Sequence, residues 1–529
     1  MRLSSNVIRL HLIGAAAVCV GLSPTSARAQ TAVDVLIHGG TVISGAGAPR
    51  VTDVGIVGDR ITFVGDAAAG KVTAKRTIEA RGLVVAPGFI DPHTHTSGDL
   101  TSAQSRAGVP NRANLPYLMQ GVTTVITNND GGSPIDIGKQ LEGWTQNGIG
   151  TNAAVYIGQG SVRGAVVGST AVAATPAQID SMRAIVSRAM DAGAIGMSTG
   201  LYYAPGSYAT TEEVIALAKA AAAKGGRYDS HIRDESSYSV GLIGAVNEVI
   251  RIGREARMPV HISHIKALGV DVWGQSDTVI ALMKNARAQG IDITASQYPY
   301  TASGSSVSAS LLPRWAESGG GDSVRIRLRD PATKARIVPE MEDNLRRRGG
   351  AASLLMTSTR DSSILGKRLD AIAKARNVTP VEAAIQIILN GGSSVASFNM
   401  NDKDIEKFMV QDFIVTDSDG SDGHPRKYGT FPKIFREYVR EKRVLTLQQA
   451  VERSSTKTAK MFNFKDRGMI AKGLFADVIV FDPATFADKS TYERPTLLAE
   501  GMKYVFVNGG LAVDDGKYTG AMAGRVLKR

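Results

Sequence analysis

A single cysteine occurs in the 529 residues, Cys19, and it falls inside a stretch with the layout of an export signal. Arg2 and Arg9 make a basic start, LHLIGAAAVCVGL an apolar middle, and Ala27-Arg28-Ala29 a small-x-small cleavage site before Gln30. Residues 1–29 are therefore expected to be removed, leaving a periplasmic or secreted protein with no thiol at all. That absence excludes disulfides, thiolate metal ligands and a cysteine nucleophile. Val18 is bulky where a lipid-anchored Cys19 would need a small neighbour, so no acyl anchor is expected. Long apolar runs are also lacking: the signal's own run is too short to span a bilayer, and no later stretch is long enough. Aromatic residues make up only 6 % of the chain, and none is interleaved with the basic run Arg346–Arg348. The formal charge of +12, or +9 once Arg2, Arg9 and Arg28 are removed, thus carries no nucleic-acid motif, and the run reads as a solvated helix face. What is plentiful is glycine, 57 residues, which suits many tight turns between strands and helices.

The text after the signal, DVLIHGGTVISGAGAPRVTDVGIVGDRITFVGD, alternates apolar and polar residues between Gly-Asp and Gly-Ala turns, as short antiparallel strands do. Similar text returns in ADVIVFDP and KYVFVNGGLAVDDGKY. Pairing of the two segments predicts a small β-sandwich built from 30–86 and 461–529, with the chain ends close together. Between them, over 87–460, eight strand candidates alternate with helices: 88–96, 122–130, 152–160, 194–201, 227–233, 259–266, 291–300 and 412–420. Thr175-Pro-Ala-Gln178, Thr210-Thr-Glu-Glu213, Thr379-Pro-Val-Glu382 and Thr446-Leu-Gln-Gln449 read as capping boxes that start helices. Eight strand–helix units imply an α/β fold, a (β/α)8 TIM-like barrel. The gap after the seventh strand exceeds an ordinary connection and carries helical text of its own, so 303–360 is expected to be an inserted subdomain or lid.

Barrel enzymes place their reacting groups at the C-terminal ends of the strands. Of eight histidines, His93 and His95 end the first candidate strand, His231 the fifth and His264 the sixth, while Asp419 ends the eighth. An HxH pair on an extended strand puts both imidazoles on one face. Four imidazoles and a carboxylate suit a binuclear site for a borderline metal such as zinc. His38 and His261 read as structural, the latter because three residues separate it from His264 and turn it to the other face.

The motifs GFIDPHTHTSGD, GVTTVITNNDG, GAIGMSTGLYYAPGSYATTEEV, SHIRDE, SHIKALG, SQYPYTAS and HPRKYGTFP together resemble the amidohydrolase superfamily, in particular its N-acyl-D-amino-acid deacylase (D-aminoacylase) branch. The resemblance runs through nearly the whole chain after the signal. It implies a zinc-dependent barrel carrying a β-sandwich, with an insertion closing the active site. By position, His93 and His95 match the pair on the more weakly held metal, His231 and His264 the ligands of the tightly held zinc, and Asp419 the catalytic aspartate. Asp417 and Asp422 lie near enough to compete for that register. Lys266, Tyr298 and Arg426 fall where the resemblance implies contacts with a substrate carboxylate.

In that branch the second strand normally ends in a cysteine that bridges two metals, and other amidohydrolases bridge with a carboxylated lysine on the fourth strand. This chain has neither: its fourth strand, AIGMSTGL, lacks lysine, and Asp130 stands at the cysteine's position. Asp130 is therefore expected to be the bridging or zinc-binding ligand, against the alternative of a simple turn carboxylate. One or two Zn2+ are expected, with Mn2+ or Co2+ also admissible to an oxygen-richer site. The expected activity is hydrolysis of N-acyl amino acids, those of D configuration foremost, with Asp419 shuttling the proton. Hydrolysis of cyclic amides, lactones or dipeptides on the same scaffold, and a non-catalytic binding protein, are the alternatives. The expected partner is a small-molecule substrate, with no nucleic acid and no membrane, and self-association as a homo-oligomer is compatible with the sequence. Tyr202, Tyr203 and the segment Leu311–Trp315 are expected to shape the pocket, His424 to orient its own loop, and Asn128 and Asn129 to form a turn.

Overall fold

The computed structural model describes residues 31–529, so the export signal expected at 1–29 lies outside the described residues. Eight parallel strands form the barrel: Phe89–Asp91, Val122–Thr127, Asn152–Gly158, Gly196–Gly200, Arg227–His231, Val260–Ile262, Ile293–Gln297 and Ile414–Thr416. Each pairs in parallel with the next, and a parallel bridge from Thr94 to Gly420 joins the first to the eighth. Every residue of VTTVIT and NAAVYIG is buried, as strands covered on both faces must be. All eight strands are shorter than their text implied, the first, sixth and eighth most of all. His93, His95, His264 and Asp419 therefore sit in the turns just past the strand ends, and only His231 is the last residue of its strand.

All four threonines cap their helices, but only two capping boxes are reciprocal. Thr175–Gln178 and Thr446–Gln449 exchange both bonds. At Thr210 and Thr379 the third-position glutamates are drawn elsewhere: Glu213 lies 3.2 Å from Arg163, and Glu382 lies 2.7 Å from Lys334. A charged partner outbids the neutral backbone N–H for the carboxylate.

The terminal segments meet in one nine-stranded sheet, where Val84–Pro87 pairs antiparallel with Val478–Phe481. The sheet is mixed rather than purely antiparallel. Ala32–Val42 runs parallel to Thr73–Glu79 along its first half and to Val84–Pro87 along its second. The register shift between Ile37 and Gly40 falls at this switch, the kind of bulge by which a strand turns a sandwich corner. Ile37, Val54, Ile56, Val478 and Phe506 fill the core beneath it.

The insertion is longer than 303–360. It holds a three-stranded sheet in the order Ala302–Ser306, Ser393–Phe398, Leu354–Thr359. The central strand is the last in sequence, so the unit cannot close before the chain returns at 393–398. The helix capped by Thr379 belongs to this subdomain, not to the barrel. Leu311, Ile337, Met341, Leu354, Met356 and Ile385 give it a core of its own. Among the described residues no helix is long and apolar enough to cross a membrane.

Candidate active site

Beyond strand one, Pro92 offers no N–H and regular pairing stops. Thr94 nevertheless stays pinned, its N and Oγ1 donating to the Ile126 carbonyl at 3.1 and 2.9 Å. With Thr94 held outward, His93 and His95 both turn inward, their ring centroids 5.4 Å apart.

Asp130 arrives from strand two through a buried turn. Asn128 (φ +63°) and Asp130 (φ +55°) both adopt left-handed backbone, which asparagine and aspartate tolerate better than most residues. The Asn128 amide donates to Gln140 at 2.9 Å and to the Tyr156 carbonyl at 3.2 Å, while Asn129 donates to Pro92 O and Asp229 Oδ2. The turn formers are thus also clamps between neighbouring strands. Glycine makes room for them: a Cβ at Gly200 would run into the Asp130 carbonyl, and one at Gly158 into the Gly131 carbonyl.

The six residues expected to hold metal converge. Asp130 Oδ1 lies 3.4 Å from His93 Nε2, 3.4 Å from His264 Nε2 and 3.7 Å from His231 Nδ1. Its other oxygen lies 3.4 Å from His95 Nε2. Asp419 Oδ1 is 3.0 Å from His95 Nε2 and 3.7 Å from His93 Nε2. The side chains divide into two sets, His93–His95–Asp130–Asp419 and Asp130–His231–His264, with Asp130 common to both.

This donor set fits zinc. Both ring nitrogens of His93 and Oδ1 of Asp130 are buried without a hydrogen-bond partner among the described residues, a condition native structures seldom tolerate. Imidazole nitrogens and carboxylate oxygens are zinc's ordinary protein ligands when thiolates are missing.

Electrostatics points the same way. Burial would raise the Asp130 carboxyl, but His93 and His264 hold it well below the usual carboxylate range. Burial would likewise raise Asp419, and Arg426 with His264 holds it low. For His264, burial and Lys266 pull the imidazole down, yet Asp419, Glu235 and Asp130 carry it up to about 10. Burial takes His231 down to about 4, so it is neutral near pH 7 and free to donate a lone pair.

The three residues expected at the substrate line the same cavity of about 360 Å3. Arg426 is buried and lies 2.7 Å from Asp419 Oδ2, with its guanidinium carbon 4.8 Å from the Tyr298 ring centre. The Tyr298 hydroxyl has no hydrogen-bond partner among the described residues. Lys266 Nζ is engaged at 2.5 Å by Glu235 and at 2.8 Å by His264 Nδ1. Asp417 accepts from the His264 backbone N–H and Asp422 pairs with Lys427, so that of these three aspartates Asp419 is the one that lies among the imidazoles. His424 accepts from the Arg426 N–H and reaches the Ala302 carbonyl, tying its loop to the insertion. Tyr202 and Tyr203 line the cavity, whereas His38 pairs with Asp53 and His261 with Thr294, away from it.

Two participants escaped sequence reasoning. Glu235, four residues after His231 in SHIRDE, lies 3.1 Å from His264 Nδ1 and 3.8 Å from His231 Nε2. It supports the back of two imidazoles, as carboxylates behind metal-binding histidines do. Arg348 corrects the solvated reading of the basic run: Arg346 is exposed, but Arg348 is buried and lines the cavity, because the helix ends there and turns it inward.

A family model described as "Amidohydrolase family" matches residues 76–513. The chain is 33 % identical to D-aminoacylase of Alcaligenes xylosoxydans xylosoxydans, over 94 % of this chain and 98 % of the relative. It is 32 % identical to N-acyl-D-glutamate deacylase of the same organism, over 94 % and 97 %. The structure of N-acyl-D-glutamate deacylase from Bordetella bronchiseptica, complexed with zinc and a phosphonate inhibitor that mimics the tetrahedral intermediate, superposes with a TM-score of 0.79 at 29 % identity, covering 94 % of this chain and 100 % of that one. With the barrel, the cluster of imidazoles and carboxylates at its mouth and these relatives matching almost its full length, the chain belongs to the amidohydrolase family and is a metal-dependent hydrolase of C–N bonds other than peptide bonds.

Proposed function

We propose that the protein hydrolyses the amide bond of N-acyl-D-amino acids, releasing a carboxylic acid and a free D-amino acid. The observation that carries this reading is Asp130, shared by two ligand sets beside an aspartate, Asp419, whose two oxygens have different tasks. His93, His95, Asp130 and Asp419 would hold one ion, and Asp130, His231 and His264 the other. Zinc bound there supplies Lewis acidity, lowering the pKa of a water and polarising the amide carbonyl.

The chain's own groups do the rest. Asp419 Oδ2 is anchored by Arg426 Nη1, which holds Oδ1 toward the imidazoles, 3.0 Å from His95 Nε2, where it can take the proton of the attacking water and pass it to the leaving nitrogen. The remaining Arg426 N–H groups and the unpartnered Tyr298 hydroxyl are placed to receive the α-carboxylate of the substrate. The insertion contributes Ser303, Ser305 and Val395 to the wall of the cavity. Strand four, GMSTG, presents no lysine; its Ser198 instead donates to the Asn128 carbonyl at 2.6 Å, so the bridging role falls to Asp130.

The test is amino-acid release by zinc-loaded protein from paired N-acetyl-D- and N-acetyl-L-amino acids, with and without a chelator. Chelator-sensitive release from the D series is expected. Release from cyclic amides alone, or no release at full metal occupancy, defeats the reading. The export signal adds a location outside the cytoplasm to the proposal, and a mature protein beginning at Gln30 is the expected result of N-terminal sequencing.

A further inference from the structure

The cavity has a second cationic pole that the chemistry above leaves unused. Arg348 follows the helix Pro331–Arg347 of the insertion and is only 2 % exposed, yet it lines the same cavity as His231 and Asp419. Its Nε donates to the Ser310 carbonyl at 3.1 Å and its Nη2 to the Tyr202 hydroxyl at 3.3 Å. Nη1 reaches the Asn399 amide oxygen at 3.2 Å when that amide is turned to satisfy its other neighbours. All three acceptors are neutral. A guanidinium has five N–H donors, so two are left over.

The other cations of the cavity are matched: Arg426 by Asp419 at 2.7 Å and Lys266 by Glu235 at 2.5 Å. Around Arg348 the acting groups are Tyr238, Tyr202 and Tyr203, with no carboxylate pairing to it among the described residues. A buried charge without a counter-ion is costly, and one that lines a cavity can be met there by an anion from outside. An independent observation marks the same end of the cavity. The Tyr238 hydroxyl is buried without a hydrogen-bond partner among the described residues, and its ring centre lies 5.7 Å from the Arg348 guanidinium carbon.

The two poles stand on different walls. Arg426 contacts Asp419, whereas Arg348 is reached from His231 across Tyr202, whose ring centroid is 5.8 Å from that of His231. We infer that Arg348 and Tyr238 form a subsite for a second carboxylate of the substrate, carried either by the amino-acid side chain or by the acyl group. The inference rests on the deacylase reading and narrows it to N-acyl compounds bearing two carboxylates. Sequence similarity does not make this choice, since identity to D-aminoacylase is 33 % and to N-acyl-D-glutamate deacylase 32 %.

The experiment compares kcat/KM for acids with their isosteric amides. N-acetyl-D-glutamate against N-acetyl-D-glutamine and N-acetyl-D-aspartate against N-acetyl-D-asparagine report a side-chain carboxylate; N-succinyl-D-alanine against its succinamoyl counterpart reports an acyl carboxylate. The parent should favour at least one acid over its amide by tenfold or more. Arg348→Met should bring that acid-to-amide ratio down about tenfold or more, to near unity, with Arg348→Lys retaining part of it. Tyr238→Phe, which removes one hydroxyl and keeps the ring, should lower the ratio severalfold, and serves if the Arg348 variants do not fold. Release from neutral substrates with no acid preference, or an equal loss on acid and amide in the variants, overturns the subsite and leaves the deacylase reading standing. No release from any N-acyl substrate overturns the deacylase reading, and the subsite falls with it.

Discussion

Asp130 is where a single side chain decides the chemistry. Its two oxygens face different imidazoles, so removing it strips one ligand from each set at once. Asp130→Ala should lower the metal content per chain, read by elemental analysis of protein loaded with excess zinc and then desalted; unchanged stoichiometry would refute the bridging role. Asp419→Asn keeps the shape but cannot accept a proton, and kcat should fall by about 10²–10⁴-fold, the usual range for a lost general base. Single-turnover measurement of amide cleavage reads this step directly. Protons and metal also compete for His264. Its imidazole is held up to about 10, so it is protonated at pH 7, and a bound cation must displace that proton. Zinc affinity should therefore rise with pH from about 6 toward 10 and level off above the folded-state value. Calorimetry at pH 7 in buffers of different ionisation enthalpy should show net proton release on zinc binding, and none would contradict the assignment of His264.

The strand ends, rather than the strands, carry the ligands. Asp130, His264 and Asp419 have φ of +55°, +37° and +45°, left-handed values that cost non-glycine residues about 1–3 kcal/mol each. Such conformations persist because neighbouring elements over-determine them. His264 N–H is held by Asp417, Asp419 N–H by the His93 carbonyl, and the Asp130 turn by the glycines of strands three and four. Gly200 is the sharpest case, since any Cβ there pushes on the Asp130 carbonyl. Gly200→Ala should destabilise the fold by about 1–3 kcal/mol, as overpacking does, and weaken zinc loading although it alters no ligand. Denaturant unfolding and metal titration of the same preparation check both parts together.

Over the whole molecule, a barrel and an inserted subdomain with separate cores enclose one cavity, so their docking governs access to it. One tie between them is the pair Arg346–Asp271 at 2.8 Å, on the exposed rim. Exposed pairs contribute about 0–1 kcal/mol, too little to decide global stability but enough to bias an opening motion. Asp271→Asn should leave the unfolding midpoint almost unchanged while speeding hydrogen exchange at the barrel-facing edge of 302–398. Equal exchange in parent and variant would mean that the tie does not restrain the lid.

Much was legible in one dimension because it depends on local pattern. The eight strands announced themselves as short apolar runs between caps and glycines, and the chemistry announced itself as histidines and acids at their ends. The resemblance implied a bridging cysteine at the end of the second strand, and with no thiol after Cys19 the expectation there passed to Asp130. The end of the insertion was not legible, since its central strand is contributed last and pairing across ninety residues leaves no local mark. Nor were Glu235 and Arg348, which look like surface charges until the fold buries them. Sequence alone determined which residue types reach the mouth of the barrel, because side-chain chemistry and strand period are properties of the chain. Only the tertiary structure decided which cations there are already paired and which is left to meet a ligand, because counter-ions are assigned by distances that no spacing in the sequence encodes.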